Sequence, residues 1–351
     1  MNAVAAYFRK TLGWRGWAVF LYNAFIENIF LVFYILLANR QFETVYLVDL
    51  LVFYLFSIFS TSYGFLVNDL GDRELDARHG KSNTFDGDSQ GAAVFMVVAT
   101  LATSAVFAWR FVEQPWFVGL WAAWVFTATA YSLPPFRLKE KGTLGLINVV
   151  AAQRLIPALL VYTVFNPVAT VDLVLFTLYI WARGFASDIA HQLADYENDR
   201  ETDTRTFAVS SGERRARRIF HIVLESEKVL LLAVLFRMVV MAVETPLLTY
   251  QVLWLLLLIA LPAYAYNLVQ LRGGADRNPF LHGERNVFQF LHHAFPSVVM
   301  PMVLLLILCR FNPLYLLLVA VLAWNKGLFR REIFLESYPV RLVRNLLAGG
   351  R

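Results

Sequence analysis

VYLVDLLVFYLFSIFSTSYGFLVNDLGDRELD, residues 45–76, joins an apolar run to a dense group of carboxylates. The group itself reads Asn68-Asp69-Leu70-Gly71-Asp72-Arg73-Glu74-Leu75-Asp76. A second group closes the apolar stretch 170–190 and reads Asp188-Ile189-Ala190-His191-Gln192-Leu193-Ala194-Asp195-Tyr196-Glu197-Asn198-Asp199. On a helix advancing about 100° per residue, Asp69, Asp72 and Asp76 fall within roughly a 60° arc. Asp188, His191, Asp195 and Asp199 form another stripe, with Gln192 at its edge. Like charges at this spacing repel. Beside lipid-facing sequence they are costly unless something cationic neutralises them. Magnesium takes hard oxygen ligands, commonly one or two carboxylates together with phosphate oxygens. Two facing clusters therefore predict a site for magnesium ions and a diphosphate. Solvated loops with capping aspartates would explain one cluster alone, and explain both together poorly.

Composition sets the surroundings. Of 351 residues, 58% are hydrophobic and 16% charged, with a mean hydropathy of +0.55. A soluble domain carries about a quarter charged residues, so a polytopic membrane protein is predicted. With about 20 residues needed per span, apolar stretches lie near 17–38, 45–67, 91–112, 116–133, 144–165, 170–190, 218–241, 246–269 and 287–309. A short tenth stretch, 313–324, is marginal. The expected fold is all-α, a transmembrane helical bundle of nine spans with a possible short tenth. The first stretch is too long for a cleaved signal and reads as a retained span. Cys309 is the single cysteine, which excludes an internal disulfide and a cysteine metal site.

Basic residues orient the bundle. Arg9, Lys10 and Arg15 precede the first stretch; Arg73, Arg78 and Lys81 follow the second; Arg137, Lys139 and Lys141 follow the fourth. Arg200, Arg205, Arg214, Arg215, Arg217 and Arg218 follow the sixth, and Arg272, Arg277 and Arg285 the eighth. The intervening loops hold little more than Arg40, Arg110 and Arg310. By the positive-inside rule both clusters face the cytoplasm, so an active site on the cytoplasmic side of the cell (inner) membrane is expected. The basic tail, Lys326 to Arg344, belongs on the same side and favours the tenth span. The net charge of +5 then reflects topology and anionic lipid, not nucleic acid.

The clusters occupy equivalent places, after the second span and at the end of the sixth, and Asp72 and Asp195 are 123 residues apart. Four intervening spans put both on one membrane face. The expectation is one membrane-embedded domain over 1–351, built of two four-helix pseudo-repeats plus C-terminal helices, with the site where the repeats meet. The loops near 68–90 and 196–217 are long enough to close over a reacting diphosphate.

These residues resemble the UbiA superfamily of intramembrane prenyltransferases. Its NDxxDxxxD signature is matched by Asn68, Asp69, Asp72 and Asp76, and its second signature by the register of Asp188, Asp195 and Asp199. Arg205-Thr206 sits where a basic residue and threonine follow. Tyr131-Ser132-Leu133-Pro134-Pro135-Phe136-Arg137-Leu138-Lys139 is similar to the segment after the fourth span. The likeness runs from about the first span to the ninth. It implies a Mg2+-dependent enzyme that ionises a polyprenyl (allylic) diphosphate donor and transfers the prenyl group to a lipophilic or aromatic acceptor, with membrane lipid as a further partner. It implies Asn68, Asp72 and Asp76 for one metal and Asp195 and Asp199 for the other, with Asp69 and Asp188 ligating or orienting. Asp72, Asp76, Asp195 and Asp199 are the catalytic set. Candidate substrate contacts are Asn23, Lys81, Tyr131, Arg137, Lys139, His191, Gln192 and Arg205. Three positions depart from the pattern and bear on the acceptor: Lys81-Ser82-Asn83 replaces an arginine-proline pair, Asp203 a glycine, and His191-Gln192 is unlike quinone-pathway members.

Ionisable groups inside spans are functional by default and need partners. Arg154 and Arg183 are expected to pair with Glu27 or snorkel, and His292-His293 to hydrogen-bond between helices. A UbiA-type terpene cyclase, a phosphoribosyl transferase acting on polyprenyl phosphate and, more remotely, a metal or metabolite transporter remain alternatives. Acceptor, donor chain length and oligomeric state are not legible.

Overall fold

The computed structural model describes residues 3–13, 19–20, 23–165, 170–202, 204–245, 248–272 and 290–326. Every named element among them is helical. In chain order these are α1 (Ala3–Thr11), α2 (Ala24–Glu27), α3 (Ile29–Ala38), α4 (Thr44–Arg78), α5 (Gln90–Ala108), α6 (Phe117–Ser132), α7 (Thr143–Phe165) and α8 (Val171–Ala194). They continue as α9 (Tyr196–Glu201), α10 (Phe207–Ser211), α11 (Glu213–Glu244), α12 (Leu253–Arg272), α13 (Phe290–Phe311) and α14 (Leu316–Asn325). Among the described residues six helices are long and apolar enough to cross a membrane, and three shorter apolar ones accompany them. This is an all-helical integral membrane protein.

The packing is that of a protein in lipid. Helix α5 buries Ala93, Thr100 and Ser104 and turns Phe95, Val98 and Val106 outward. Small and hydroxyl side chains let helix backbones approach, while large apolar ones face a solvent as apolar as themselves.

Two expectations are corrected. The first apolar stretch is not one helix: Asn23 caps α2, and the backbone breaks at Asn28 before α3. Arg183 on α8 donates to Asn28 Oδ1 (3.0 Å) and to the Glu27 carbonyl (3.3 Å), so the break is held by an intramembrane guanidinium. The first long loop is also shorter than 68–90, because α4 continues through the whole first cluster. It stops in a Schellman turn: Gly80 takes φ +64°, and the Lys81 N–H donates to the Asp76 carbonyl (2.9 Å). Loop 196–217 likewise contains α9 and α10. Arg15, Asp203, Arg277, Arg285 and the tail beyond Lys326 lie outside the described residues.

The chain divides into two compact units, 1–28 with 45–220, and 29–44 with 221–351. The first carries both clusters, and its deep end is a knot of aromatic rings. Phe53 meets Phe25, Phe56, Phe111 and Phe165 at centroid distances of 5.0, 5.4, 5.8 and 6.1 Å. In the second unit Tyr250 donates to the Leu37 carbonyl (2.9 Å) and Phe42 stacks on Phe311 (4.2 Å). Its interior holds a charged knot in which Glu227 contacts Lys228 (3.0 Å) and His292 Nδ1 (2.7 Å). All three side chains are at most 1% exposed. The expected histidine contact between helices thus joins His292 on α13 to Glu227 on α11.

Candidate active site

The first cluster lies on the last three turns of α4, and cations from the segment after α6 meet it. Lys139 Nζ reaches Asp72 Oδ1 and lies 3.3 Å from Asn68 Oδ1. Arg137 donates to Asp72 Oδ1 (3.1 Å), to the Gly71 carbonyl (2.9 Å) and to Glu140 (2.5 Å). Two features allow this. Gly71 brings α4 against the end of α6, since a Cβ there would stand 2.6 Å from the Ser132 carbonyl oxygen. Arg137 itself adopts a left-handed backbone, φ +39°, a strained choice for a non-glycine residue that aims it back at α4. Burial lowers the Lys139 pKa below the usual lysine value, against the pull of Asp72. Burial also works against the Arg137 charge, but Glu140 and Asp72 together hold its pKa above the ordinary value.

The other carboxylates of the cluster are held by the turn that follows α4. Asn83 Nδ2 donates to Asp76 Oδ2 (2.8 Å) and to the Asp69 carbonyl (2.8 Å), and Thr84 Oγ1 donates to Asp69 Oδ2. Asn83 is itself fixed, its N–H on Asp86 (2.8 Å) and its Oδ1 on the Phe85 N–H (3.0 Å). Phe85 is fully buried beneath the turn.

The second cluster straddles a bend, not one straight helix: Asp195 ends α8 and begins α9. The stripe survives because the i to i+4 ladder continues, with Asp195 N–H to the His191 carbonyl (3.0 Å) and Asp199 N–H to the Asp195 carbonyl (2.8 Å). Burial raises the Asp199 pKa; hydrogen bonding from Thr206 and the charge of Lys81 pull it down, and Asp195 pushes it up. Arg205 is exposed, and its carbonyl accepts from the Gly142 N–H (2.9 Å), stitching the segment after α6 to the loop after α9. Gly142 is at φ +53°, and a Cβ there would meet Ser210 Oγ at 3.0 Å. The basic segment that reaches the first cluster is therefore anchored on the second.

Beside these groups, within the first unit, lies a cavity of about 700 Å³. Asn68, Tyr131, Asp188 and His191 line it on the side of the clusters, and Phe25, Phe53, Phe56 and Trp124 elsewhere. Two expected contacts point away from it. Asn23 is fully buried, its Oδ1 accepting from the Phe25 N–H (2.8 Å) and Ser57 Oγ (2.5 Å). Gln192 Oε1 accepts from the Ala208 N–H (3.2 Å) at the start of α10. Lys81 and Arg205 are exposed in loops near Asp199 and Gly142.

The donor set is aspartate and asparagine oxygen, the chemistry magnesium prefers. Asp188 Oδ2 is buried without a hydrogen-bond partner, and the cations on Asp72 show that this cluster accepts positive charge. Among the described residues no three His, Cys, Asp or Glu side chains converge tightly enough to hold a metal by themselves. An ion shared between one or two carboxylates and phosphate needs no such cage, so the residues fit.

Sequence reading passed over the orienting role of Asn83 and Thr84, because loop polar residues carry no signature of what they fold back upon. It also missed Lys10, whose Nζ reaches Asp88, and Arg73, which donates to the Asp88 carbonyl. The Arg154 pairing with Glu27 is present as expected.

Comparison with known proteins agrees with this geometry. The lycopene elongase/hydratase of Halobacterium salinarum is 30% identical over 168 residues, 46% of this chain and 58% of that protein. Those of Haloferax volcanii (30%, 42% of this chain and 48% of that protein) and Corynebacterium glutamicum (27%, 48% and 59%) match similarly. The chain thus spans about half the length of the curated relatives it matches. A UbiA homolog from Archaeoglobus fulgidus bound to GPP and Mg2+ shares the fold, with TM-score 0.54, 14% identity and 86% and 99% of the two chains covered. The same homolog bound to DMAPP and Mg2+ gives TM-score 0.54, 16% identity and 86% and 98% coverage. Residues 28–281 match the sequence model of the UbiA prenyltransferase family, and the chain belongs to that family.

Proposed function

We propose that this protein is a magnesium-dependent prenyltransferase, working as one membrane-embedded domain, that ionises an allylic diphosphate and adds the prenyl group to a polyene hydrocarbon acceptor. The observation that carries the reading is the junction of two environments. Asn68 lines a cavity whose wall is mostly apolar, and beside it Lys139 reaches both Asn68 and Asp72 while Arg137 pairs with Asp72. Most of the exposed cavity wall is apolar, which suits a hydrocarbon. The curated relatives, named for lycopene, support that choice of acceptor.

Asn68, Asp72, Asp76, Asp195 and Asp199 would hold magnesium, with Asp69 and Asp188 orienting them. Bound there, the metal supplies electrostatic stabilisation of the charge that develops on the leaving diphosphate. The chain's own residues do the rest. Lys139 and Arg137, which pair with Asp72, would clamp the diphosphate. Lys81 and Arg205 extend the clamp from the loops. Tyr131 and Trp124, both lining the cavity, would favour the allylic cation and exclude water from it. The positive-inside pattern supports a cytoplasmic side for this site.

The test is diphosphate release by the protein in nanodiscs, supplied with dimethylallyl, geranyl or geranylgeranyl diphosphate, with and without Mg2+ and lycopene. Magnesium-dependent release is expected, and it should fall at least about 100-fold in a D72A/D195A double variant. Release without acceptor, yielding a cyclic hydrocarbon, would make the enzyme a cyclase. No release from any donor would sink the prenyl assignment.

A further inference from the structure

The turn that braces the first cluster is itself held from outside, by the N-terminal helix. Tyr7, Lys10 and Thr11 stand three and four positions apart on α1, so they share one face. That face is turned to the protein. The Tyr7 and Thr100 hydroxyls hydrogen-bond (3.2 Å), Thr11 is fully buried, and Lys10 Nζ pairs with Asp88 Oδ2. Phe8 and Arg9 are exposed. Thr100 lies on α5, and Asp88 immediately precedes Ser89, whose side chain caps α5. Helix α1 is thereby fastened at two points, and one of them is the end of the turn.

From Asp88 an unbroken run of hydrogen bonds reaches the cluster. The Asp88 N–H donates to the Phe85 carbonyl (3.0 Å), and the Phe85 N–H to Asn83 Oδ1 (3.0 Å). Asn83 Nδ2 then donates to Asp76 Oδ2 (2.8 Å). The Asp88 carbonyl accepts from Arg73, which stands on α4 between Asp72 and Asp76. The side chain, N–H and carbonyl of Asp88 are thus engaged by three segments: α1, the turn and α4. A residue so placed fixes where the turn ends. The Lys10 and Asp88 side chains are 36% and 25% exposed. A pair in that much solvent contributes little to stability, so the fold does not rest on it. Its consequence is positional.

Resting on the magnesium-dependent prenyl-transfer reading, we propose that Lys10 is a positioning residue for the first cluster. By holding Asp88 it sets the turn from which Asn83 and Thr84 orient Asp76 and Asp69. Carboxylates that bind metal depend on such partners for their orientation. Helix α1 therefore tunes the metal affinity of the site from outside it.

The full chain in nanodiscs is compared with Lys10→Met, which keeps the stem and removes the charge, and with Lys10→Arg. The charge swap K10D/D88K is run beside its two single variants. Hydrogen exchange over residues 83–88 is followed without donor, and diphosphate release from dimethylallyl diphosphate is titrated with Mg2+. Lys10→Met should lose protection at the Asp86 and Asp88 amides, whose N–H groups close the turn. Its Mg2+ concentration for half-maximal release should rise about tenfold, the low end for groups that orient ligands. Most of kcat at saturating Mg2+ should remain. Lys10→Arg should stay near wild type, and the swap should recover what either single variant loses. Faster exchange with an unchanged Mg2+ requirement would reduce Lys10 to a fastening of α1 and overturn the proposal. Wild-type behaviour of Lys10→Met in both measurements would overturn it too, and either result leaves prenyl transfer standing. Absence of diphosphate release from wild type at every Mg2+ concentration removes both.

Discussion

Lys139 is the residue on which the site most directly depends. Its ammonium bridges Asn68 and Asp72, and burial lowers its pKa below that of an ordinary lysine. Only the charged form grips phosphate, so donor capture should be full at neutral pH and lost as pH rises through that lowered value. The alkaline limb of kcat/KM for the donor reports the free enzyme. In Lys139→Arg it should move upward by about a unit or more, because a guanidinium stays protonated there. An alkaline limb at the same pH in both proteins would show that another group sets it. Asp188 and His191 show what a residue-level reading can deliver. Their spacing placed them on one stripe, and both line the cavity. Asn23 and Gln192, equally plausible by type, were claimed by the N–H groups of Phe25 and Ala208. Which acceptor a helix end finds is a matter of what packs beside it.

Among the elements, the turn after α4 matters most for the chemistry. Asn83 and Thr84 hold Asp76 and Asp69 from behind, and groups that orient ligands typically change metal affinity by about 10–100-fold when removed. Asn83→Ala should raise the Mg2+ concentration needed for half-maximal diphosphate release by about that factor. Thr84→Ser, which keeps the hydroxyl, should stay near wild type. An unchanged magnesium dependence in Asn83→Ala would reduce the turn to a structural closure. Helix α4 shows how far pattern alone carries. An apolar run ending in aspartates three and four apart reads as a helix that outlasts the membrane, and it does. The length of the following loop was misjudged, because polarity in 68–78 resembles loop composition while the Schellman turn at Gly80 is what ends the helix. The π turn at Ala151–Leu155 in α7 and the break at Asn28 left no trace in hydropathy, which averages over the single residue each displaces.

For the whole molecule, the second unit holds its own charged core. Glu227 faces both Lys228 and His292 with almost no exposure. Removing one partner of a buried ion pair strands the others, typically at a cost of about 3–5 kcal/mol. Glu227→Ala should therefore lower the thermal midpoint in detergent markedly, whereas Leu316→Ala at an exposed site should not. Equal midpoints would mean that water reaches the cluster. What the sequence alone determined was the class of protein, an all-helical membrane bundle with two carboxylate motifs whose oxygen donors suit magnesium and a diphosphate. These follow from hydropathy, spacing and the cost of charge beside lipid, each readable residue by residue. Only the tertiary structure decided that Lys139 and Arg137 meet Asp72, that Asn83 braces Asp76, and that the cavity wall carries Gln153 and Arg154. Each of those contacts joins segments separated by a turn or a helix. Their geometry is set by close approaches at Gly71, Gly142 and Gly184, where a missing Cβ lets two backbones or a side chain come within reach.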